Sequence, residues 1–425
     1  MSLDVPTATI RPAERRLVFE PRSKRGVSPS PSAFDITGPD AYNSTIMSDQ
    51  PGKPKLTKRP HHRAASPMDF GTFSPSVDPE TRILSQRSRG LGPFLVVGCG
   101  SIGRRHVRNL VAGGNSEVAV CDPDPERTGP VIEEAGLLRP AYADYNEALS
   151  SVKPNIIFIC TPPPLHLKQA LAAVRVGAHV FIEKPLSNRL DGVDELLHAA
   201  TDRKRICQVG YNLRFHVGIR KVKELLHSDA IGHVSYAQVV MGQYLPDWRP
   251  WQDYRQSYTA RSDMGGGIIL DASHELDYAL WLLGRPASAF CSADRISGLD
   301  VDVEDSATIL LRYTSGARCD IHLDFVRRDY ARGCSLCGES GTIVWDYVAQ
   351  QVRLYRAADR AWETFSCECD PNDMYRAELE HFLDCVQTQT DPLVGLEQGR
   401  TVLALIETAR RSAETGTWEV TTWQS

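Results

Sequence analysis

Phe94-Leu95-Val96-Val97-Gly98-Cys99-Gly100-Ser101-Ile102-Gly103 is the stretch on which the reading of this chain turns. Four apolar residues make a short buried strand, and the spacing of Val107, Leu110 and Val111 just beyond is that of a helix. Three glycines stand between the two elements. Gly98 suits a tight turn, Gly100 lets backbone approach a pyrophosphate, and Gly103 lets the helix lie close on the strand. Ser101 and Ile102 complete the cradle, because a helix N-terminus presents its amides to an anion. Asp122 follows Gly103 by 19 residues, at the end of the next apolar run. A carboxylate there holds a ribose 2′-hydroxyl and repels a 2′-phosphate, so the pattern predicts NAD in preference to NADP. Arg104 and Arg105 keep NADP open.

Outward from this turn the alternation of strand and helix continues. Apolar runs at residues 117–121, near 141, at 155–160, 179–182 and 206–211 alternate with helical patterns, one of them over 165–176. Such alternation predicts an α/β fold, a Rossmann-type parallel sheet covered on both faces. Beyond Asn212 the grammar changes. Alternating runs at 234–240, 306–313, 317–325, 341–345 and 351–355 predict antiparallel strands. Helices are expected near 217–226, over 271–283 and within 375–413. This reads as an α+β domain whose mostly antiparallel, open sheet has five or six strands. The expected division is an extension over 1–92, a cofactor domain over 93–212 and a substrate and oligomerisation domain over 213–425.

Composition sets the outer bounds. Of 425 residues, 42% are apolar and 24% charged, as in an ordinary soluble protein. No run approaches the ~18 apolar residues that a membrane span needs, and a net charge of −5 leaves no footprint for nucleic acid. Eleven cysteines, an odd number without a secretory signal, point to a reducing compartment and predict a cytoplasmic protein. Up to Gly92, Pro, Ser, Thr and Arg crowd together, with 14 Lys and Arg against 9 Asp and Glu. That part is expected to be a disordered basic arm without chemistry of its own.

Three further stretches carry candidate chemistry. Glu183-Lys184-Pro185 lies just past the carboxyl end of a predicted parallel strand, where open α/β sheets place their ligands. Pro185 fixes the backbone, presenting Lys184 rigidly. In Gly265-Gly266-Gly267-Ile268-Ile269-Leu270-Asp271-Ala272-Ser273-His274 a helix beginning near Asp271 would set Asp271 and His274 on one face, with the glycines allowing close approach of a cofactor. His is the side chain matched to proton transfer near neutral pH. Glu275 and Asp277 are expected on the opposite face, in domain contacts. The aromatic loop from Tyr244 to Arg255 offers rings for sugar CH groups, so Tyr244, Trp248 and Trp251, with Arg261 beyond, are candidate substrate contacts. Packing of the two tryptophans against the domain interface is the competing reading. Cys334, Cys337, Cys367 and Cys369 have spacings that invite zinc, but residues three apart on a strand face opposite sides, so no metal site is predicted.

Taken together, Gly98 to Gly103, the Thr161-Pro162 to His166 segment, Glu183-Lys184-Pro185, Val209-Gly210-Tyr211-Asn212 and the glycine-rich run to His274 resemble the Gfo/Idh/MocA oxidoreductases, the family of glucose-fructose oxidoreductase and inositol dehydrogenase. The resemblance covers about 94–420. It implies a Rossmann domain followed by an α/β domain with an open sheet, and assembly as a homodimer or homotetramer. It further implies that Lys184 is the catalytic lysine, Asp271 the helix carboxylate and His274 the acid/base histidine. Thr161, Pro162, His166, Glu183 and Asn212 would line the nicotinamide end of the cofactor. Many members space carboxylate and histidine four apart; here the interval is three. The implied function is NAD-dependent oxidation of a secondary alcohol on a sugar, cyclitol or nucleotide sugar. A lyase, hydrolase or epimerase working by transient oxidation, or a sensor without catalysis, are the alternatives.

Overall fold

The computed structural model describes residues 90–423, so almost all of the expected basic arm lies outside the described residues. Six strands, β1 (Phe94–Val97), β2 (Val118–Cys121), β3 (Ala141–Tyr142), β4 (Ile156–Ile159), β5 (His179–Glu183) and β6 (Cys207–Gly210), form one sheet in the order β3-β2-β1-β4-β5-β6. Every neighbouring pair is parallel. Each strand but β3 is buried along its whole length, which is why they read as unbroken apolar runs. Helices α1 (Ser101–Ala112), α2 (Pro125–Ala135), α3 (Tyr145–Val152), α4 (Pro163–Arg175) and α5 (Val193–Arg203) connect them. Strand order reverses between β1 and β4, and the glycine turn sits at that switch point, where such sheets open a crevice.

The second sheet has nine strands rather than the five or six expected: β7 (Val234–Gly242), β8 (Ser288–Asp294), β9 (Ser306–Arg312), β10 (Arg318–Asp324), β11 (Ala331–Gly338), β12 (Gly341–Asp346), β13 (Gln351–Arg356), β14 (Ala361–Ser366) and β15 (Glu419–Val420). Their order is β14-β13-β12-β11-β7-β10-β9-β8-β15, antiparallel throughout except for β7 beside β10. Two of the strands outside the expected runs have physical reasons to lack a signal, whereas β8 alternates in burial and is an addition to those runs. β14 is an edge strand exposed along nearly its whole length, and β15 is only two residues long. Helices α6 (Val217–His227), α7 (Leu245–Trp248), α8 (Ile268–Asp271), α9 (Ser273–Leu283), α10 (Asp373–Thr388) and α11 (Leu396–Thr415) complete the fold. α6, α9 and α11 pack on one face of the nine-stranded sheet.

Helix α10 does not stay with its sequence neighbours. Its Leu379, Phe382 and Leu383 join Phe94, Phe158 and Phe181 of the parallel sheet in one cluster. The Phe382 ring meets Phe158 and Phe181 edge-on at centroid distances of 5.8 and 5.6 Å. A fully buried Phe contributes about 1.5 to 3 kcal/mol, so this contact is a principal closure of the parallel sheet. Among the described residues no helix is long and apolar enough to cross a membrane.

Candidate active site

The glycine turn has the shape its composition demands. Gly98 has φ +89°, and a Cβ there would sit 2.6 Å from the Cys160 carbonyl oxygen. A Cβ on Gly103 would strike the Gly98 carbonyl oxygen, so this glycine lets α1 lie on β1. Gly100 differs: a Cβ on it meets nothing within 4 Å. The space above Gly100 is therefore open, and no side chain caps the N-terminus of α1. An open cradle beside uncapped amides fits a pyrophosphate. Asp122 closes the far side, accepting from the amides of Cys99 (2.8 Å) and Asp124 (3.0 Å). Each carboxylate oxygen keeps a second lone pair for a ribose hydroxyl.

At the other end of the crevice, Lys184 emerges from β5 and crosses to the second domain. Its Nζ donates to the Asp271 carbonyl oxygen (2.7 Å) and lies 3.1 Å from Asp271 Oδ1. Burial pulls the ammonium pKa down, but Tyr258, Asp271 and Glu183 more than offset it, and Lys184 stays charged. Asp271 also accepts from Tyr258 Oη (2.6 Å) and Thr259 Oγ1 (2.7 Å). Against the upward pull of burial, Lys184, Tyr258, Thr259 and Arg249 hold its carboxyl below the ordinary range. Burial pushes the Tyr258 phenol up to about 12, so it remains a donor.

Asp271 and His274 do not share one regular helix. The backbone breaks at Ala272 (φ −90°, ψ 28°), ending α8 at Asp271 and starting α9 at Ser273. Asp271, at the end of α8, faces Lys184, Tyr258 and Thr259. The glycine run also serves a different purpose from the one expected. A Cβ on Gly266 would meet the carbonyl oxygens of Tyr258 and Arg261, and one on Gly267 would meet Glu304. The glycines make room for protein, not for a cofactor.

His274 is buried against Tyr211, ring centroids 5.6 Å apart, and its Nδ1 has no hydrogen-bond partner. Burial, with Lys184 and Arg332 nearby, drives its pKa well below 6.5, so the imidazole is neutral and can accept a proton. Two buried ion pairs fix its helix. Glu275 receives Arg332 Nε from β11 at 2.8 Å, and Asp277 receives both Nε and Nη2 of Arg214 at 2.9 and 2.8 Å. Both pairs lie within residues 213–425, so Glu275 and Asp277 brace the helix inside the second domain rather than make the domain contacts expected of them.

The other expected cofactor residues gather at the same edge. Thr161 Oγ1 donates to Gln169 (2.6 Å), next to Pro162 before α4. His166 spans two loops, its Nε2 2.6 Å from the Thr161 carbonyl oxygen and its Nδ1 2.9 Å from that of Pro185. Asn212 Oδ1 is buried without a partner, the orphaned acceptor that a carboxamide donor would satisfy. Glu183 is turned inward instead, onto His106 Nε2 and the Lys184 amide.

Placement of the aromatic loop is mixed. Trp248 donates its indole N–H to Gln243 and packs edge-on against Phe325. Tyr244 lies under the Arg328 guanidinium. Trp251 is 56% exposed, and Arg261 is bound to Asp263 at the surface. Sequence reasoning missed Tyr258, Thr259, Arg332 and His106. His106 alone had a signal, standing one turn beyond Gly103 on the inner side of α1. Cys334 and Cys367 are buried, and among the described residues no group of three or more metal-ligating side chains gathers.

Comparison with known proteins places this geometry. Residues 93–211 match the profile of an oxidoreductase family with an NAD-binding Rossmann fold, and residues 219–344 match the GFO/IDH/MocA C-terminal domain. Inositol 2-dehydrogenase 3 of Saccharopolyspora erythraea is 30% identical over 300 residues, 68% of this chain and 84% of that protein. Myo-inositol 2-dehydrogenase of Thermotoga maritima is 28% identical over 332 residues, 75% of this chain and 95% of that one. Among solved structures, levoglucosan dehydrogenase in complex with NADH and levoglucosan superposes with a TM-score of 0.69 at 18% identity, covering 77% of this chain and 98% of the other. A glycine turn open for a dinucleotide, a lysine and a carboxylate meeting across two domains, and two profiles in the right order lead to one assignment: the chain belongs to the Gfo/Idh/MocA oxidoreductase family.

Proposed function

We propose that Lys184, His274 and Asp271 carry out hydride transfer between a secondary alcohol of a sugar, cyclitol or nucleotide sugar and NAD, used in preference to NADP. The enzyme is an NAD(P)-dependent oxidoreductase of CH–OH groups. The observation that carries the residue assignment is the Lys184 to Asp271 contact of 3.1 Å, made beside a neutral, buried His274. In this reading residues 93–212 hold the cofactor and residues 213–425 the substrate. The eleven free thiols, nine of them buried, support a reducing, cytoplasmic setting. Tyr236 and Leu310, exposed on the open face of the second sheet, support a homodimer or homotetramer joined there.

When bound, the nicotinamide supplies the hydride acceptor. Gly98, Gly100, Ser101, Ile102 and Gly103 would hold its pyrophosphate, Asp122 a ribose, and Asn212 the carboxamide. His274 takes the hydroxyl proton, a step worth about 10² to 10⁴ in rate. Lys184 donates a hydrogen bond to the substrate oxygen and stabilises the negative charge that develops there, fixed in place beforehand by Asp271. Asp271 is itself held by Tyr258 and Thr259, so the ammonium is aimed before substrate arrives.

The test is formation of NADH with a panel of sugars, inositols and nucleotide sugars. Stoichiometric NADH is expected, with Lys184→Ala lowering kcat by about 10² to 10³ while NAD affinity is retained. Product without net NADH would identify transient oxidation instead, and binding without turnover a sensor. Undiminished activity in Lys184→Ala would remove the lysine from its role.

A further inference from the structure

Three arginines punctuate the loop before the glycine run, and two of them are neutralised within the loop. Arg255 grips Asp253 through Nε (2.9 Å) and Nη2 (2.8 Å), and Arg261 grips Asp263 through Nε (3.0 Å) and Nη2 (2.7 Å). Arg249, half-buried at the end of α7, has no such partner. Its Nε is buried without an acceptor, and among the described residues no side-chain hydrogen bond or ion pair takes up its guanidinium.

Its position is beside the reacting groups. Arg249 lines a small cavity with Trp248, Tyr254, Ser257 and Thr259, and the Thr259 hydroxyl is bonded to Asp271. Arg249 is near enough to Asp271 to help hold its carboxyl low, but the short contacts of that carboxylate go to Lys184, Tyr258 and Thr259, so the guanidinium is left without a hydrogen-bonded acceptor. A half-buried guanidinium whose Nε has no acceptor gains when a ligand supplies one. The terminal nitrogens of the guanidinium form a planar fork whose geometry matches a carboxylate or a phosphate.

We infer that Arg249 anchors an oxyanion on the substrate, so that the enzyme acts on an acidic sugar or cyclitol rather than a neutral one. The inference rests on the dehydrogenase reading above and narrows its substrate class. Carboxylate and phosphate share the recognition chemistry, and matched probes separate them.

The experiment compares kcat/KM for glucose, glucuronate and glucose 6-phosphate, and for inositol and inositol phosphate, in the wild type, Arg249→Met and Arg249→Lys. The same probes are titrated calorimetrically into the NADH-loaded proteins. The wild type should favour one acidic class over its neutral counterpart by at least about tenfold, and Arg249→Met should bring that ratio close to one. Arg249→Lys should retain part of the preference, since charge remains but the fork is lost. Preference for the uronate or for the phosphate names the group; either upholds the proposal. Thermal unfolding of Arg249→Met should match the wild type closely, as the aliphatic packing is kept and no side-chain hydrogen bond is lost.

Binding that distinguishes the variants without NADH formation would uphold the oxyanion site while sinking the dehydrogenase reading. Equal use of neutral and acidic probes by the wild type overturns the inference. So does an unchanged preference in Arg249→Met, or failure of every acidic probe to bind.

Discussion

His106 Nε2 lies 2.6 Å from Glu183 Oε1, and this contact joins the helix of the glycine turn to the strand end that bears Lys184. The imidazole also packs against the rings of Phe158 (5.3 Å) and Phe181 (4.9 Å). The glycine turn and the strand end that bears Lys184 are thus tied directly to each other. Replacing His106 by Leu keeps the packing volume and leaves Glu183 without its side-chain partner. The expected loss is about 1 to 3 kcal/mol, read as a lower urea midpoint at unchanged m-value. KM for NAD should rise in the same variant, and an unaltered midpoint would show that the pair contributes nothing.

The glycines of the turn should separate by substitution. Gly103→Ala forces a Cβ onto the Gly98 carbonyl oxygen and is expected to yield little folded protein. Gly100→Ala meets no protein atom, so its thermal unfolding should equal that of the wild type while NAD binding weakens. Calorimetric titration with NADH beside a melting curve distinguishes the two effects.

The depressed pKa of His274 fixes the sign of a pH effect. In the proposed mechanism the neutral imidazole is the base for alcohol oxidation, and burial holds its pKa well below 6.5. kcat/KM for oxidation should therefore pass through about pH 6.5 without the inflexion of an ordinary histidine. A profile measured across the mildly acidic range checks this, and a half-maximal rate near the ordinary histidine value would contradict the buried, neutral assignment.

Glu378 gives a stability effect with the opposite logic. Both carboxyl oxygens are buried without a partner, and burial, with Glu183 and Asp277 nearby, pushes its pKa well above the ordinary value. The folded protein holds this proton where the unfolded chain releases it. Below the unfolded value of about 4.3 there is no penalty; as pH rises above it, stability is lost until the folded pKa is reached. Glu378→Gln should exceed the wild type in stability at neutral pH, and the two should converge in acid. Parallel curves of unfolding free energy against pH would refute the protonated state.

What the sequence made legible was local. The strand–glycine–helix turn, Lys184 past the end of β5 and His274 on an apolar helix depend on neighbours within a few residues, and each lies where its pattern implies. What it hid was set by tertiary contacts. Asp271 ends α8 at a break that no residue pattern marks, and its other partners sit 12 and 13 residues upstream in a short 3-10 turn that no periodicity marks. Gly266 and Gly267 resembled a cofactor cradle because glycine composition records that something approaches closely, not what approaches. Edge strands such as β14 face solvent on both sides and lose the alternation that would reveal them.

The return of α10 to the parallel sheet bears on how the chain is made. Phe158 and Phe181 leave the ribosome some two hundred residues before Phe382 can cover them, so the nascent cofactor half must wait with an aromatic surface bare. A gene fragment ending after Asn212 would encode every residue proposed to hold the cofactor and still give an aggregating product. Adding the segment for α10 through a linker is the minimal graft that should make such a fragment stay in solution.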